Sequence, residues 1–220
     1  MPLVIAMDGP SGSGKSSASK GVARALGLRY LDTGAMYRAM TWWMLRAGVP
    51  VEDAEAVAAR AGEPVIESGT DPDAPTIAVD GTDVSGPIRT REVTNAVSAV
   101  SAVPQVRERL VALQREIIGA GGIVVEGRDI GTVVAPDAPV KIFLTASEEA
   151  RAARRAKDLA DDPAATVTVT RAEQARRDRL DSTRAASPLT KAPDAHEIDS
   201  TELTLDEVIE KVVRLAKDAS

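Results

Sequence analysis

The stretch Asp8-Gly-Pro-Ser-Gly-Ser-Gly-Lys-Ser-Ser17 constrains this chain more than any other, because Gly9, Gly14, Lys15 and Ser16 stand at the spacing of a phosphate-binding loop. Glycines admit positive φ angles, so successive backbone N–H groups can turn inward around an anion. The apolar run at 3–8 reads as a buried strand, and a helix is expected from Gly14 to Leu26 with Gly27 as its stop. The positive end of that helix adds to the attraction for phosphate. Gly9, Pro10, Ser11, Gly12, Ser13, Gly14, Lys15, Ser16 and Ser17 are therefore the candidate nucleotide site. Lys15 can reach the β- and γ-phosphates of a nucleoside triphosphate, and the Ser16 hydroxyl can bind Mg²⁺. The loop leaves open whether the phosphate goes to water, a side chain or a small molecule.

The rest of the chain alternates between strand and helix signals. Residues 29–32 read as a second strand, 35–47 as a helix, and 122–127, 140–144 and 195–200 as further strands. An amphipathic helix is expected over 204–219, with Thr204 and Glu207 in the pattern of a capping box. Such alternation predicts a three-layer α/β/α fold on a mainly parallel sheet. Two stretches break it. Residues 64–88, rich in Gly, Pro, Asp and Thr, read as a small antiparallel insertion; 151–184, dense in Arg with a turn-like 161–166, read as a mobile helical lid.

Composition removes several classes of function. Two Trp, two Tyr and one Phe make an aromatic platform for single strands improbable, and a net charge of -6 argues against a nucleic-acid surface. With no cysteine there are no disulfides, zinc ribbons or thiol chemistry. No apolar run approaches the ~20 residues that span a bilayer, and the amino terminus carries no basic leader. The expectation is a cytoplasmic protein without membrane or nucleic-acid partners, and nothing demands an oligomer, so a monomer is expected.

Four segments carry the remaining chemistry. Asp32, Thr33 and Gly34 fall where a strand ends and a helix begins, at the edge where open α/β sheets bind ligands. Thr33 could cap that helix, and Arg38, one turn on, could hold a phosphate or simply be solvated. Arg128 and Asp129 follow a buried strand between Gly127 and Gly131, as a structural ion pair or as ligand contacts. On the lid, Arg151, Arg154 and Arg155 share one helical face, as do Arg177, Asp181 and Arg184. These faces are either solvated and laced with ion pairs, or cations brought over a transferred phosphoryl group. A guanine-nucleotide switch would share the loop. The D-x-x-G at Asp83–Gly86 is a weak pattern, however, and 190–194 lacks the Asn and spacing of a guanine-reading motif.

Taken in order, "DGPSGSGKSS", "LDTGAMYR", "DVSGPIRTREV", "NAVSAVSAVPQVRERL", "EGRDIGTVVAPDAPVKIFL" and "RLDSTRAASPL" closely resemble the bacterial cytidylate kinase family. Glu126 stands where that family often has Asp, and Thr33 where many members have Ser. The resemblance implies ATP as donor with Mg²⁺, CMP and dCMP as acceptors, and Lys15, Arg128 and Arg184 as the catalytic cations. It implies that Arg38 and Arg128 hold the acceptor phosphate, that Thr33, Ser98, Arg107 and Asp129 surround the cytosine, and that Arg177 and Asp181 meet the sugar. Arg184 would reach between the phosphates. It further implies one kinase domain over 1–220, with 1–36, 98–150 and 185–220 as core, 37–97 as monophosphate-binding region and 151–184 as lid. A kinase for another small metabolite is the nearest alternative. His196, the only histidine, is expected to be a polar strand residue, and Trp42 and Trp43 to pack under the acceptor helix.

Overall fold

The computed structural model of the chain describes residues 2–158 and 166–219. In chain order the elements are β1 (Val4–Asp8), α1 (Lys15–Leu26), β2 (Arg29–Asp32), α2 (Thr33–Arg46), α3 (Ala54–Arg60), β3 (Ile66–Ser68), β4 (Ile77–Val79) and β5 (Thr82–Asp83). They continue as α4 (Arg91–Ala102), α5 (Pro104–Ile118), β6 (Ile123–Gly127), β7 (Val140–Thr145), α6 (Glu148–Asp158), α7 (Val167–Thr183), β8 (His196–Asp199) and α8 (Leu205–Asp218).

Five strands form one sheet in the order β2-β6-β1-β7-β8, and every neighbouring pair in it is parallel. Strand side chains alternate between faces, and here both faces are apolar. Ile5, Met7, Tyr30, Val124 and Ile142 pack with Ala18 and Val22 of α1 and Val208 and Val212 of α8. Ala6, Leu31, Ile123 and Val125 pack on the other side with Met36 and Met40 of α2, Val97 of α4 and Leu110 of α5. The result is the three-layer α/β/α arrangement expected from the sequence.

A second sheet, β3-β4-β5, is antiparallel and lies within the 64–88 stretch. Trp42 and Trp43 are only partly buried against the core beside it. The Trp43 indole donates to Asp80 Oδ2 at 3.1 Å, and Arg60 stacks over its ring at 4.8 Å, so Trp43 ties α2 to the small sheet's turn rather than lying under the helix. In the 151–184 region α6 and α7 pack on one another. Most of the expected 161–166 turn lies outside the described residues; its last residue, Thr166, caps α7 by accepting from the Val169 N–H at 3.3 Å.

Helix boundaries differ from expectation at one informative place. α2 begins at Thr33, not Ala35, because Asp32 is its N-cap and accepts the Ala35 N–H at 2.9 Å. The Thr33 hydroxyl is thereby free of capping and donates to the Glu126 carbonyl oxygen at 2.7 Å.

Candidate active site

Chain direction and strand order decide where the site lies. All five core strands point the same way, and β1 sits at the centre where connections diverge to β2 on one side and β7 on the other. Loops leaving the carboxyl ends of β1, β2 and β6 therefore open into one crevice. Those segments carry the Gly-rich stretch 9–17, Asp32–Thr33 and Arg128–Asp129 respectively.

The cradle turns tightly off β1. Gly9 has φ +148°, and a Cβ there would stand 2.1 Å from the Leu144 carbonyl oxygen at the end of β7, so no side chain fits. Gly14, at φ 89°, is the left-handed N-cap of α1. Behind the loop, Asp8 is 4% exposed and accepts from the Ile130 and Gly131 N–H groups, each at 2.8 Å. It thus joins the end of β1 to the loop after β6. Burial is the main reason that its pKa is pushed up to about 6.

Lys15 is folded into the loop, donating to the Pro10 carbonyl at 2.7 Å and to Ser13 Oγ at 3.5 Å. Burial, and then the charge of Arg128, hold its ammonium well below the ordinary lysine range. The Ser16 hydroxyl donates to Glu126 Oε2 at 2.9 Å, and the Tyr30 hydroxyl donates to the other carboxylate oxygen. Burial and the nearby Asp32 raise the Glu126 pKa. Glu126 and Tyr30 were not among the residues singled out for the site. The signal that could have found Glu126 is its place one residue before Gly127, at the carboxyl end of a strand beside β1.

Ser16, Glu126 and Asp32 offer oxygen donors at the mouth of the cradle, which is the chemistry a hard cation such as Mg²⁺ takes. Among the described residues no group of three or more His, Cys, Asp or Glu could hold a metal by itself. Nucleotide phosphates would have to complete any such coordination.

Opposite the cradle, cations crowd together. The cleft holds about 650 Å³ and is lined by Arg38, Arg128, Arg177 and Arg184, together with Lys15 and Arg155. Arg38 donates to the Ile88 carbonyl at 3.1 Å and to Thr94 Oγ1 at 2.9 Å. Burial first, and then Arg177 and Arg155, lower its pKa to about 9. Arg177 is lowered to about 10, by burial and then by Arg128. Among the described residues, its buried Nε has no hydrogen-bond partner. Cations that disfavour one another in a desolvated cleft are poised for an anion.

Beside this cluster, Arg107 and Asp129 form an ion pair with both side chains only 5% exposed. The Arg107 guanidinium also stacks over the Tyr37 ring at 5.2 Å and donates to the Ser101 carbonyl at 3.2 Å. Asp181 accepts from Arg128 Nε at 3.2 Å and from the Ser98 hydroxyl at 3.5 Å. Arg184 donates to the Ser187 carbonyl at 2.7 Å and lies 3.9 Å from both Asp129 and Asp181.

The cleft thus gathers Thr33, Arg38, Ser98, Arg107, Arg128, Asp129, Arg177, Asp181 and Arg184 with Ser11, Gly12, Gly14, Lys15, Ser16 and Ser17. Gly9, Pro10 and Ser13 support the loop from outside the lining. Of the three arginines on the first lid helix, Arg154 and Arg155 line the cleft as the sequence reading expects, and Arg151 alone departs from it. Arg151 pairs with Asp178 and donates to the Ser11 carbonyl at 3.0 Å, while Arg154 reaches the Ser200 carbonyl at 2.6 Å. Asp83–Gly86 forms a turn in which Asp83 Oδ1 accepts the Ser85 N–H at 2.8 Å, and it lines no part of the cleft. His196 opens β8 with its side chain exposed.

A protein from Streptomyces griseus subsp. griseus named "Cytidylate kinase" is 62% identical over 217 residues, covering 98% of this chain and 93% of the relative. One of the same name from Mycolicibacterium paratuberculosis is 55% identical, covering 99% and 96%. The crystal structure of an uncharacterized protein from Eubacterium ventriosum shares the fold, with a TM-score of 0.55 at 11% identity over 99% of both chains. The sequence model described as "Cytidylate kinase" matches residues 5–218, and on that match and those relatives the chain belongs to the cytidylate kinase family.

Proposed function

We propose that this protein transfers the γ-phosphoryl group of ATP to CMP or dCMP, giving CDP or dCDP and ADP. The observation that carries this reading is the meeting, in one cleft, of the phosphate cradle, four guanidinium groups and the buried Arg107–Asp129 pair. In this reading the amides of the cradle and Lys15 hold the β- and γ-phosphates, and Arg38 and Arg128 hold the acceptor phosphate. Arg184 then reaches the migrating group. Mg²⁺, held by the Ser16 hydroxyl and phosphate oxygens, supplies charge neutralisation when bound.

No general base is needed, because the acceptor is already an ionised phosphate. Positioning and electrostatic stabilisation do most of the work. The arginines oppose the charge spread over the equatorial oxygens, and a closed lid excludes water that would otherwise compete as acceptor.

Base selection follows from the Arg107–Asp129 pair. Cytosine presents an N4 amino donor beside N3 and O2 acceptors, which a carboxylate, a guanidinium and the Ser98 and Thr33 hydroxyls can match. Uracil would set a carbonyl against Asp129, at a cost of about 1–3 kcal/mol or more. Arg177 and Asp181 meet the sugar. We take 1–36, 98–150 and 185–220 as the core of the single kinase domain, 37–97 as the monophosphate-binding region and 151–184 as the lid. We take the enzyme to be a monomer of the cytoplasm.

A coupled assay of ADP release with CMP, dCMP, UMP, AMP and GMP tests the reading. Turnover is expected with CMP and dCMP and to be weak with the others. Strong turnover with UMP and none with CMP would sink the cytosine assignment, and acceptor-independent GTP hydrolysis would favour a switch.

A further inference from the structure

A loop that turns its amides toward an anion must turn its carbonyls the other way, and carbonyls on that outer side need donors of their own. Those donors come from the first lid helix and from Ser200, just after β8. The Ser11 carbonyl accepts from Arg151 Nη1 at 3.0 Å. The Ser13 carbonyl accepts from Ser200 Oγ at 3.1 Å, with Arg154 Nη1 at 3.4 Å. Arg151 and Arg154 stand one turn apart on α6, so one helix face spans two alternate residues of the loop.

Ser11 is held from both ends of its peptide units. Its N–H donates to Asp178 Oδ1 at 3.2 Å, and the other oxygen of Asp178 accepts from the same Arg151 nitrogen that binds the Ser11 carbonyl. The side chains of this pair are 9% and 18% exposed, and it joins α6 to α7. Gln174 closes the arrangement by donating to the Arg151 carbonyl at 3.3 Å. The same amide nitrogen lies 2.3 Å from where a Cβ on Gly12 would be, so the lid rests directly on the loop backbone. Neither Arg151 nor Asp178 lines the cleft, whereas Ser11 does.

We infer that Arg151 and Asp178 are positioning residues for the donor phosphates, acting through the main chain of Ser11. The inference rests on the kinase reading above and assigns its cradle an external brace. Loss of the brace frees the Ser11–Gly12 backbone to rotate its amides away from the nucleotide, and the binding of ATP and ADP weakens. Of the acceptor pocket, Arg38, Arg107, Arg128 and Asp129 lie off the lid, while Arg177 and Asp181 share α7 with Asp178 and are held instead on the cleft side, Asp181 by Arg128 and Ser98.

The test uses the full chain. ADP and CMP affinities are measured by titration calorimetry, KM for each substrate and kcat by the coupled assay, and Tm by calorimetry. Arg151→Met keeps the length of the side chain and removes its donors. It is expected to raise the Kd for ADP and the KM for ATP about tenfold or more, with the KM for CMP within about twofold of wild type. Arg151→Lys should recover part of the loss. Asp178→Asn, which can still accept the Ser11 N–H, should fall between wild type and Asp178→Leu. If Arg151→Met does not fold, Arg151→Lys and Asp178→Asn make the same comparison. Unchanged ADP affinity in variants of an enzyme that phosphorylates CMP overturns this inference alone, even if Tm or kcat drops. Tighter ADP binding overturns it too, since Asp178 would then be a carboxylate competing with phosphate. A wild-type protein that neither binds ADP nor phosphorylates CMP overturns the kinase reading and this inference together.

Discussion

Asp8 illustrates how a single buried carboxylate can serve geometry at an electrostatic cost. Its two oxygens take the Ile130 and Gly131 amides, one each, and so fix the loop that carries Arg128 and Asp129. An Asn there could accept only one of them, because its amide nitrogen would face the other. Burial raises the folded pKa from 3.8 to about 6, so between these values the folded protein binds a proton that the unfolded chain does not. This contribution to stability is full below the unfolded value and is lost as pH rises through the folded one. Asp8→Asn has no such titration. We expect the variant to be less stable throughout, and the gap to widen by about 1 kcal/mol between pH 7 and pH 5. Urea midpoints for both proteins across that range measure it. A gap that narrows on acidification would show that Asp8 ionises with a depressed pKa in the fold.

At the scale of elements, local chemistry and tertiary packing can be separated. Thr204 caps α8 by accepting the Glu207 N–H at 3.3 Å, and Glu207 Oε2 accepts the Thr204 N–H at 2.8 Å. The cap stands outside the cleft, on the helix that backs α1. Thr204→Ala should cost about 1 kcal/mol in a urea titration while leaving kcat and both KM values unchanged. Features of this kind were legible in the sequence, as were the strands, the cradle and the amphipathic α8, because each depends on neighbours within a few residues. Even α4, not singled out beforehand, carries a readable signal: Val93, Ala96, Val97 and Val100 repeat at helical spacing and are buried. What could not be read is contact across the chain. The capping of α2 by Asp32 rather than Thr33 turned on the Glu126 carbonyl standing within reach of the Thr33 hydroxyl. The hold of Arg151 on Ser11 joins residues 140 positions apart, and no helical spacing announces which of three arginines will turn away from the cleft. The resemblance to a family supplied the proposed roles of Arg107 and Asp129; composition and spacing alone left Arg128–Asp129 between an ion pair and a ligand contact.

The molecule as a whole brings guanidinium groups from separate stretches of chain into one cleft, where the proposed reading sets them against phosphate. Arg38 comes from α2, Arg128 from the loop after β6, and Arg177 and Arg184 from α7 and its end. Three of them are held by carbonyls, hydroxyls or carboxylates: Arg38 by the Ile88 carbonyl and Thr94, Arg128 by Asp181, and Arg184 by the Ser187 carbonyl beside Asp129 and Asp181. Burial, followed by the charge of Arg107, lowers the pKa of Arg184, which marks a cation placed where solvent no longer shields it from its neighbours. If Arg184 bound ATP in its ground state, removing it would weaken ATP binding as much as it slowed turnover. If it meets charge that spreads onto the migrating group only at the transition state, the loss falls on kcat. In the proposed reading the cradle amides and Lys15 hold the triphosphate, and Arg184 lies with the groups proposed to hold the acceptor. We therefore expect Arg184→Ala to lower kcat by about 10²–10³ while KM for ATP changes by about threefold or less. Steady-state kinetics with CMP saturating, alongside ADP titration, separate the two cases. An intact kcat with lost ATP affinity would place Arg184 on the donor phosphates rather than at the group in transit.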